Sequence, residues 1–280
     1  MKQKKLNKPT PLIHCSNPVS LVSRKIYNVL LWNVYKIDNE LKQEEYSMDI
    51  DKLMDYCNIS SQNRHYIKQL CKNGKELTST IVEWNINRED KKNNWGCSSL
   101  LGSIEIIDNQ IFYTIPKPLR RLIKDYKIYG KINLNISKLF KSKYTYSLYE
   151  ILSRYKKVNS TGYIELNEIR NYLGVIDTYK NYNDFKKHIL KKALNEINEK
   201  SELIVNIEEK KYKKSITHIK FLIKEKNENP LDFNQIKNDT SNIKNNYQNN
   251  NFSNNEEHIE KQKEKLQELK DKLKDNNQQN

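Results

Sequence analysis

Apolar residues spaced by three or four mark the first ordered element. Val22, Ile26, Val29, Leu30 and Val34 share one side of a helix predicted over 19–35. After Tyr46-Ser-Met, a short helix is expected over 49–57, a turn at Asn58, and a longer helix over 61–77. Strand-like runs follow at 80–86, 98–107 and 110–115, the last two joined at Asp108-Asn109, residues suited to a hairpin turn. Pro116 and Pro118 then open a basic helix over 119–126, proline being tolerated in a first turn.

The second half repeats the plan. Helix is expected over 142–156, extended chain over 163–166, a short helix over 167–173 stopped by Gly174, and a longer helix over 183–198. Strands at 202–207 and 215–223 flank a lysine-rich turn over 208–214. An offset of 116 residues brings Met48, Ile50, Leu53, Cys57 and Ile59 onto Ile164, Leu166, Ile169, Leu173 and Val175. Under the same offset Asp49 meets Glu165 and Tyr56 meets Tyr172. Helix, short strand, helix, turn, helix and hairpin is the order of a winged helix, a helix-turn-helix closed by a β-ribbon. The predicted fold class is α+β, with two winged helices in tandem over 17–135 and 136–226, preceded by a flexible basic arm over 1–16.

The pattern breaks after Lys226. Eight of the fifteen residues from Ser241 to Asn255 are asparagine, which cannot bury enough apolar surface to offset ordering entropy. Residues 227–280 are therefore expected to be mostly disordered. Ile259, Leu266, Leu269 and Leu273 give the period of a short helix over 256–274, with too few heptads for a stable coiled coil.

Charge adds a partner to this outline. The chain carries +15 overall, yet the tail from Asn227 holds eight lysines against ten carboxylates, leaving +17 on residues 1–226. A basic body with a near-neutral tail points to nucleic acid before membrane. No run of 18 apolar residues is present and the first residues carry no apolar leader, so the expected location is the cytoplasm. Cys15, Cys57, Cys71 and Cys97 form no CxxC pair; Cys57 and Cys71 fall at apolar helical positions and read as reduced core cysteines rather than metal ligands.

The second helix of a helix-turn-helix enters the major groove. On 183–198, Phe185, Ile189, Leu190, Ala193, Leu194 and Ile197 share about half the circumference at about 100° per residue. Opposite them stand Lys187, His188, Lys191, Lys192 and Asn195, while Lys186 interrupts the apolar arc. Lysines there can neutralise phosphates or reach guanine, and an asparagine has the donor and acceptor that read adenine. Lys180 precedes this helix, and Lys210, Lys211, Lys213 and Lys214 crowd the wing turn, suited to phosphate or the minor groove. The first domain offers a sparser set, Arg64, His65 and Lys68 with Gln62, Asn63 and Lys72, expected to support, dimerise or bind.

Enzymatic chemistry finds little footing. The six glycines build no GxxxxGK phosphate loop, and the five histidines never stand as HxH or HxxxH. A metal-dependent nickase with a tyrosine nucleophile would need such a cluster to polarise the phosphate. No cofactor, metal or catalytic residue is expected.

Longer stretches carry a family resemblance. The run from Lys141 to Lys156, KSKYTYSLYEILSRYK, resembles the "SKYALxLYELLKRY" helix of the Rep initiators of iteron-containing, theta-replicating plasmids. YIELNEIRNYLGV, from Tyr163, is similar to that family's "hIsLeELRxxLGV" segment. YNDFKKHILKKALNEIN, from Tyr182, is similar to its "YxxFKRRVLxPALxEIN" recognition helix, and Thr217-His-Ile-Lys-Phe to the strand closing the wing. Asn17-Pro-Val-Ser-Leu and Ile115-Pro-Lys-Pro-Leu match the first domain more loosely, and the resemblance spans roughly 15–225. It implies two winged helices related by a pseudo-twofold axis that bind directly repeated origin DNA as monomers. It further implies dimers that repress the chain's own promoter, and contacts with the host initiator and replicative helicase. Two positions depart from the family pattern: its recognition-helix proline is Lys192 here, and one basic position is His188. The alternative on the same two modules is a transcriptional repressor without initiator activity.

Overall fold

A computed structural model describes residues 4–14, 19–60, 65–85, 95–125 and 127–226 of the chain. Strand β1 (Lys5–Pro9) and the short helix α1 (Thr10–Ile13) precede α2 (Leu21–Ile37), the opening helix of the first domain. Then follow β2 (Glu45–Asp49), α3 (Ile50–Cys57) and α4 (Tyr66–Ser79). Two hairpins come next, β3 (Ile81–Asn85) with β4 (Trp95–Ser99), and β5 (Ser103–Ile107) with β6 (Gln110–Thr114). Helix α5 (Lys117–Asp125), strand β7 (Tyr129–Asn133) and helix α6 (Leu134–Ser137) lead onward. The second domain is α7 (Lys143–Tyr155), β8 (Ser160–Glu165), α8 (Leu166–Tyr172), a long helix over 182–200, and strands β9 (Leu203–Tyr212) and β10 (Ser215–Glu225).

The sheets repeat as the sequence does. The first domain orders its strands β2-β6-β5, and the second orders them β8-β10-β9, so each sheet places its last strand in the middle. The offset of 116 holds at the junctions. Strand gives way to helix after Asp49 and after Glu165, and the short helices end near left-handed residues at Asn58 (φ 55°) and Gly174 (φ 66°). Asparagine and glycine are the residues that accept this conformation most readily. The longer helices begin at Tyr66 and Tyr182, again 116 apart. The β3–β4 hairpin has no counterpart in the second domain, which makes it an insertion between α4 and β5. The run expected as one strand over 98–107 is thus two strands in different sheets, parted at Leu100, Leu101 and Gly102. Leu100 and Leu101 are buried, so the break serves the core rather than a surface loop.

The expected flexible arm is corrected over 4–14. β1 pairs antiparallel with β7, Leu6 opposite Ile132, and Leu6, Lys8 and Leu12 are all buried. The reason lies across the molecule. Glu150 of α7, itself fully buried, accepts from Lys8 Nζ at 2.8 Å, Arg24 at 2.9 Å and Asn28 Nδ2 at 2.6 Å. Burial by itself would push the Glu150 carboxyl up; the charges of Lys8 and Arg24, aided by Asn28, outweigh it and hold the group below the usual carboxylate range. The first helices of the two domains therefore meet through a buried polar knot. β7 passes close to α7, where a Cβ on Gly130 would lie 3.4 Å from the Glu150 carbonyl oxygen and 2.7 Å from Ile13. His14, at the end of α1, packs its ring 4.8 Å from that of Tyr172, and burial followed by the charge of Arg154 lowers its pKa to about 4. Residues 1–227 accordingly form one compact unit, and the domain boundary expected at 135/136 falls within α6.

Cysteine placement follows the prediction only in part. Cys57 is buried, and burial pushes its thiol up to about 12, whereas Cys71 is exposed on α4. The tail over 227–280, Cys15 and Arg64 lie outside the described residues. Among the described residues no helix is long and apolar enough to cross a membrane.

Candidate nucleic-acid interface

The helix over 182–200 is continuous but not uniform. An α-helical start, α9 (Tyr182–Phe185), passes through one turn of π-helix (Lys186–Leu190) into α10 (Lys191–Lys200). Asn181 caps the start, its Oδ1 accepting from the Asn183 amide at 2.7 Å. Phe185, Ile189, Leu190, Ala193, Leu194 and Ile197 are buried against the core, as their spacing predicts. Lys187, His188, Lys191, Lys192 and Asn195 are all exposed on the other side. The wide turn carries Lys187 and His188, and such turns recur at functional sites because they re-aim side chains.

Lys186, the residue that breaks the apolar arc, has a specific task. Its Nζ lies 2.6 Å from Glu209 Oε1, and the Tyr182 hydroxyl donates to the same oxygen. Burial would raise the Glu209 carboxyl; the bonds from Lys186 and Tyr182 bring it below its ordinary value. Glu209 stands one residue before Lys210, so the base of the wing is pinned to the start of the helix. Tyr182, Lys186 and Glu209 are absent from the sequence-based set, although the misplaced lysine was the available sign.

The wing is longer and tighter than the expected turn over 208–214. β9 runs to Tyr212, and only Lys213 and Lys214 form the turn, Lys213 at φ 53°. Lys210, Lys211, Lys213 and Lys214 are exposed, and Tyr212 between them is 67% exposed. Lys220 of β10 and Lys210 both approach the exposed Tyr163 ring, each at 5.7 Å. Lys180 is exposed in the turn before α9. Helix and wing of the second domain thus gather ten sequence-predicted residues, nine of them lysine or histidine, with the wing anchored to the helix.

The first domain brings less together. His65 and Lys68 are exposed at the start of α4, and Lys72 and Lys75 continue the row. Its wing tip, Asp108-Asn109, carries no cation. Both residues have positive φ, the signature of the predicted two-residue hairpin turn. Asn109 is tied back to α3: its Nδ2 donates to Asp51 at 3.1 Å, and its carbonyl accepts the Ile50 amide at 3.0 Å.

Two family models match. One described as "Initiator Replication protein, WH1" covers residues 5–153, and one described as "Initiator Rep protein, WH2" covers residues 165–223. No curated protein matches the chain. Among solved structures, the Pi initiator protein in complex with iteron DNA is similar in fold, with a TM-score of 0.61 and 17% identity over 80% of this chain and 98% of that one. A structure of domains 2 and 3 of RctB reaches a TM-score of 0.42 at 9% identity, covering 76% of this chain and 81% of that one. The first domain model alone spans more than half of the chain, and the two together account for both repeats of the winged helix: the protein belongs to the initiator Rep protein family.

Proposed function

We propose that this chain starts plasmid replication by binding directly repeated origin sequences, iterons, in double-stranded DNA, and that it acts by binding rather than by catalysis. The observation that carries this reading is the second domain's exposed helix face, Lys187, His188, Lys191, Lys192 and Asn195, beside a lysine wing, in a member of the initiator Rep family. A protein of the same fold, the Pi initiator, has been crystallised on iteron DNA. Lysines at these positions neutralise phosphates and fix the helix in the groove, and Asn195 has the amide that reads adenine. Lys180 and the wing lysines extend the contact along the backbone. His65 and Lys68, with Arg64 ahead of them in sequence, add a weaker contact from the first domain, whose cation-free wing tip favours a supporting role.

Self-association belongs to the same reading. Among the described residues the β3–β4 hairpin is a sheet of two strands with no third strand paired to either edge, and it exposes Ile81 and Trp95. Open edges are templates for pairing with a second copy. Contacts with the host initiator and replicative helicase, in the bacterial cytoplasm, complete the role.

The test is footprinting on the DNA flanking the gene. Several protected sites in direct repeat, each about 20 bp or roughly two helical turns, beside an AT-rich tract, are the expected result. A lone inverted repeat would identify a transcriptional repressor instead.

A further inference from the structure

Arg170 sits on α8, beneath the turn that leads into the DNA-facing helix, and it is buried. A buried guanidinium is costly unless its donors are used. Among the described residues they go to no carboxylate, and Nε is buried without a hydrogen-bond partner. One terminal nitrogen, Nη2, donates to the carbonyl oxygens of Tyr179 at 3.1 Å and Lys180 at 2.8 Å, and Nη1 donates to Asn167 Oδ1 at 3.2 Å. The guanidinium carbon also lies 5.3 Å from the centroid of the Phe185 ring. One side chain therefore joins α8, the turn and the first core residue of the next helix.

The turn has need of such a hold. Tyr179 adopts φ 52°, a conformation that bulky L-residues rarely accept. Its ring stands 6.1 Å from that of His188, and Lys180 beside it is exposed. In the first domain the position 116 residues earlier is Met54, which has no donor to offer, so the device is confined to the second domain.

We propose that Arg170 is a positioning residue for DNA recognition: by fixing the Tyr179 and Lys180 carbonyls it sets the Tyr179 ring beside His188 and the direction of the exposed Lys180, and sharpens discrimination between origin repeats and other DNA, without touching DNA itself. The proposal rests on the DNA-binding reading above.

The experiment uses the full chain with Arg170→Met, which keeps bulk but removes every donor, and Arg170→Lys, which keeps charge and a single nitrogen. Affinity is measured on an origin fragment and on a scrambled fragment at several salt concentrations, with amide hydrogen exchange on the same samples. In Arg170→Met, affinity for the origin fragment should fall about tenfold, as expected for lost hydrogen bonds to a fixed turn. Affinity for the scrambled fragment should stay within about twofold and the salt slope should not change, because the same phosphates are still neutralised. Amides of 178–181 should exchange faster while α8 and α10 keep their protection, and Arg170→Lys should fall between. Undiminished discrimination in Arg170→Met would overturn the proposal. So would equal losses on both fragments accompanied by lost protection throughout α8 and α10, which would make Arg170 a residue of the core alone. A wild-type chain with no preference for the origin fragment would overturn the DNA-binding reading itself, and this proposal with it.

Discussion

Lys8 Nζ lies 2.8 Å from Glu150 Oε1, with neither side chain more than 1% exposed, although 142 residues separate the two in sequence. A buried charge left without its partner is among the costliest changes a core can suffer. Glu150→Ala would remove the carboxylate that the buried Lys8 and Arg24 cations share and should destabilise the folded unit by about 3–5 kcal/mol, read as a lower urea midpoint with m unchanged.

Acid should act in two windows. His14 has a folded pKa near 4, lowered from the ordinary value, so the unfolded chain binds its proton first and stability declines as pH falls from about 6.5 toward 4. Glu150 is also lowered, so its contribution is complete above about 4.3 and is lost only as pH drops further, through its folded value. In urea titrations from pH 7 to pH 3, Glu150→Gln should keep the first decline and shrink the second, the remainder coming from other lowered carboxyls such as Glu209.

On the DNA side, charge and base reading separate experimentally. Lys187→Ala with Lys191→Ala should weaken binding to every DNA and reduce the salt slope by about 0.9 log units for each phosphate no longer neutralised. Asn195→Ala should leave the slope alone and relax preference at one base pair, by about 1–3 kcal/mol. Unchanged affinity and slope in the double lysine variant would remove this helix from the interface.

The two wings offer an exchange. Giving the second wing the tip of the first, by Lys213→Asp and Lys214→Asn, keeps residues that accept a tight turn and removes two cations. Thermal stability should hold, since Lys213 already occupies the left-handed region at φ 53° and aspartate is at least as tolerant there. Affinity should drop alike for origin and scrambled fragments in gel-shift titrations.

The paired helix ends predict an asymmetry of their own. Gly174→Ala places a Cβ on a residue at φ 66° and should cost roughly 1–2 kcal/mol. Asn58→Gly, at the equivalent end of α3, should be neutral within a few tenths. Thermal denaturation distinguishes the two directly.

How much of this was legible in the sequence depended on range. The strand–helix junctions, read within one residue of Asp49 and Glu165, and the turns at Asn58 and Gly174, were visible because each rests on a handful of adjacent residues and recurs 116 positions on. The exposed set from Lys187 to Asn195 was visible because a single helix has a simple periodicity. Lys8 fell within the arm expected to be flexible, since its partner is a glutamate on a distant helix that no local pattern reveals. The wing was read short for a related reason. Glu208 to Tyr212 is too polar to look like a strand, yet it pairs along β10 and needs no burial on its outer side. Lys186 announced an exception without naming Glu209 as its cause.

The pairing of β1 with β7, and of Lys8 with Glu150, also bears on how the chain reaches its native form. Residues near the start of the chain leave the ribosome long before their partners do. A contact spanning 142 residues closes a large loop, and non-local contacts of that kind slow folding. Until α7 has been made, β1 can pair with β7 but Lys8 lacks its carboxylate, and α2 keeps Arg24 and Asn28 without the same group. Vectorial synthesis therefore leaves the buried contacts of Lys8, Arg24 and Asn28 unmade until the opening helix of the second domain has appeared, which ties the last step of the first domain's packing to the second.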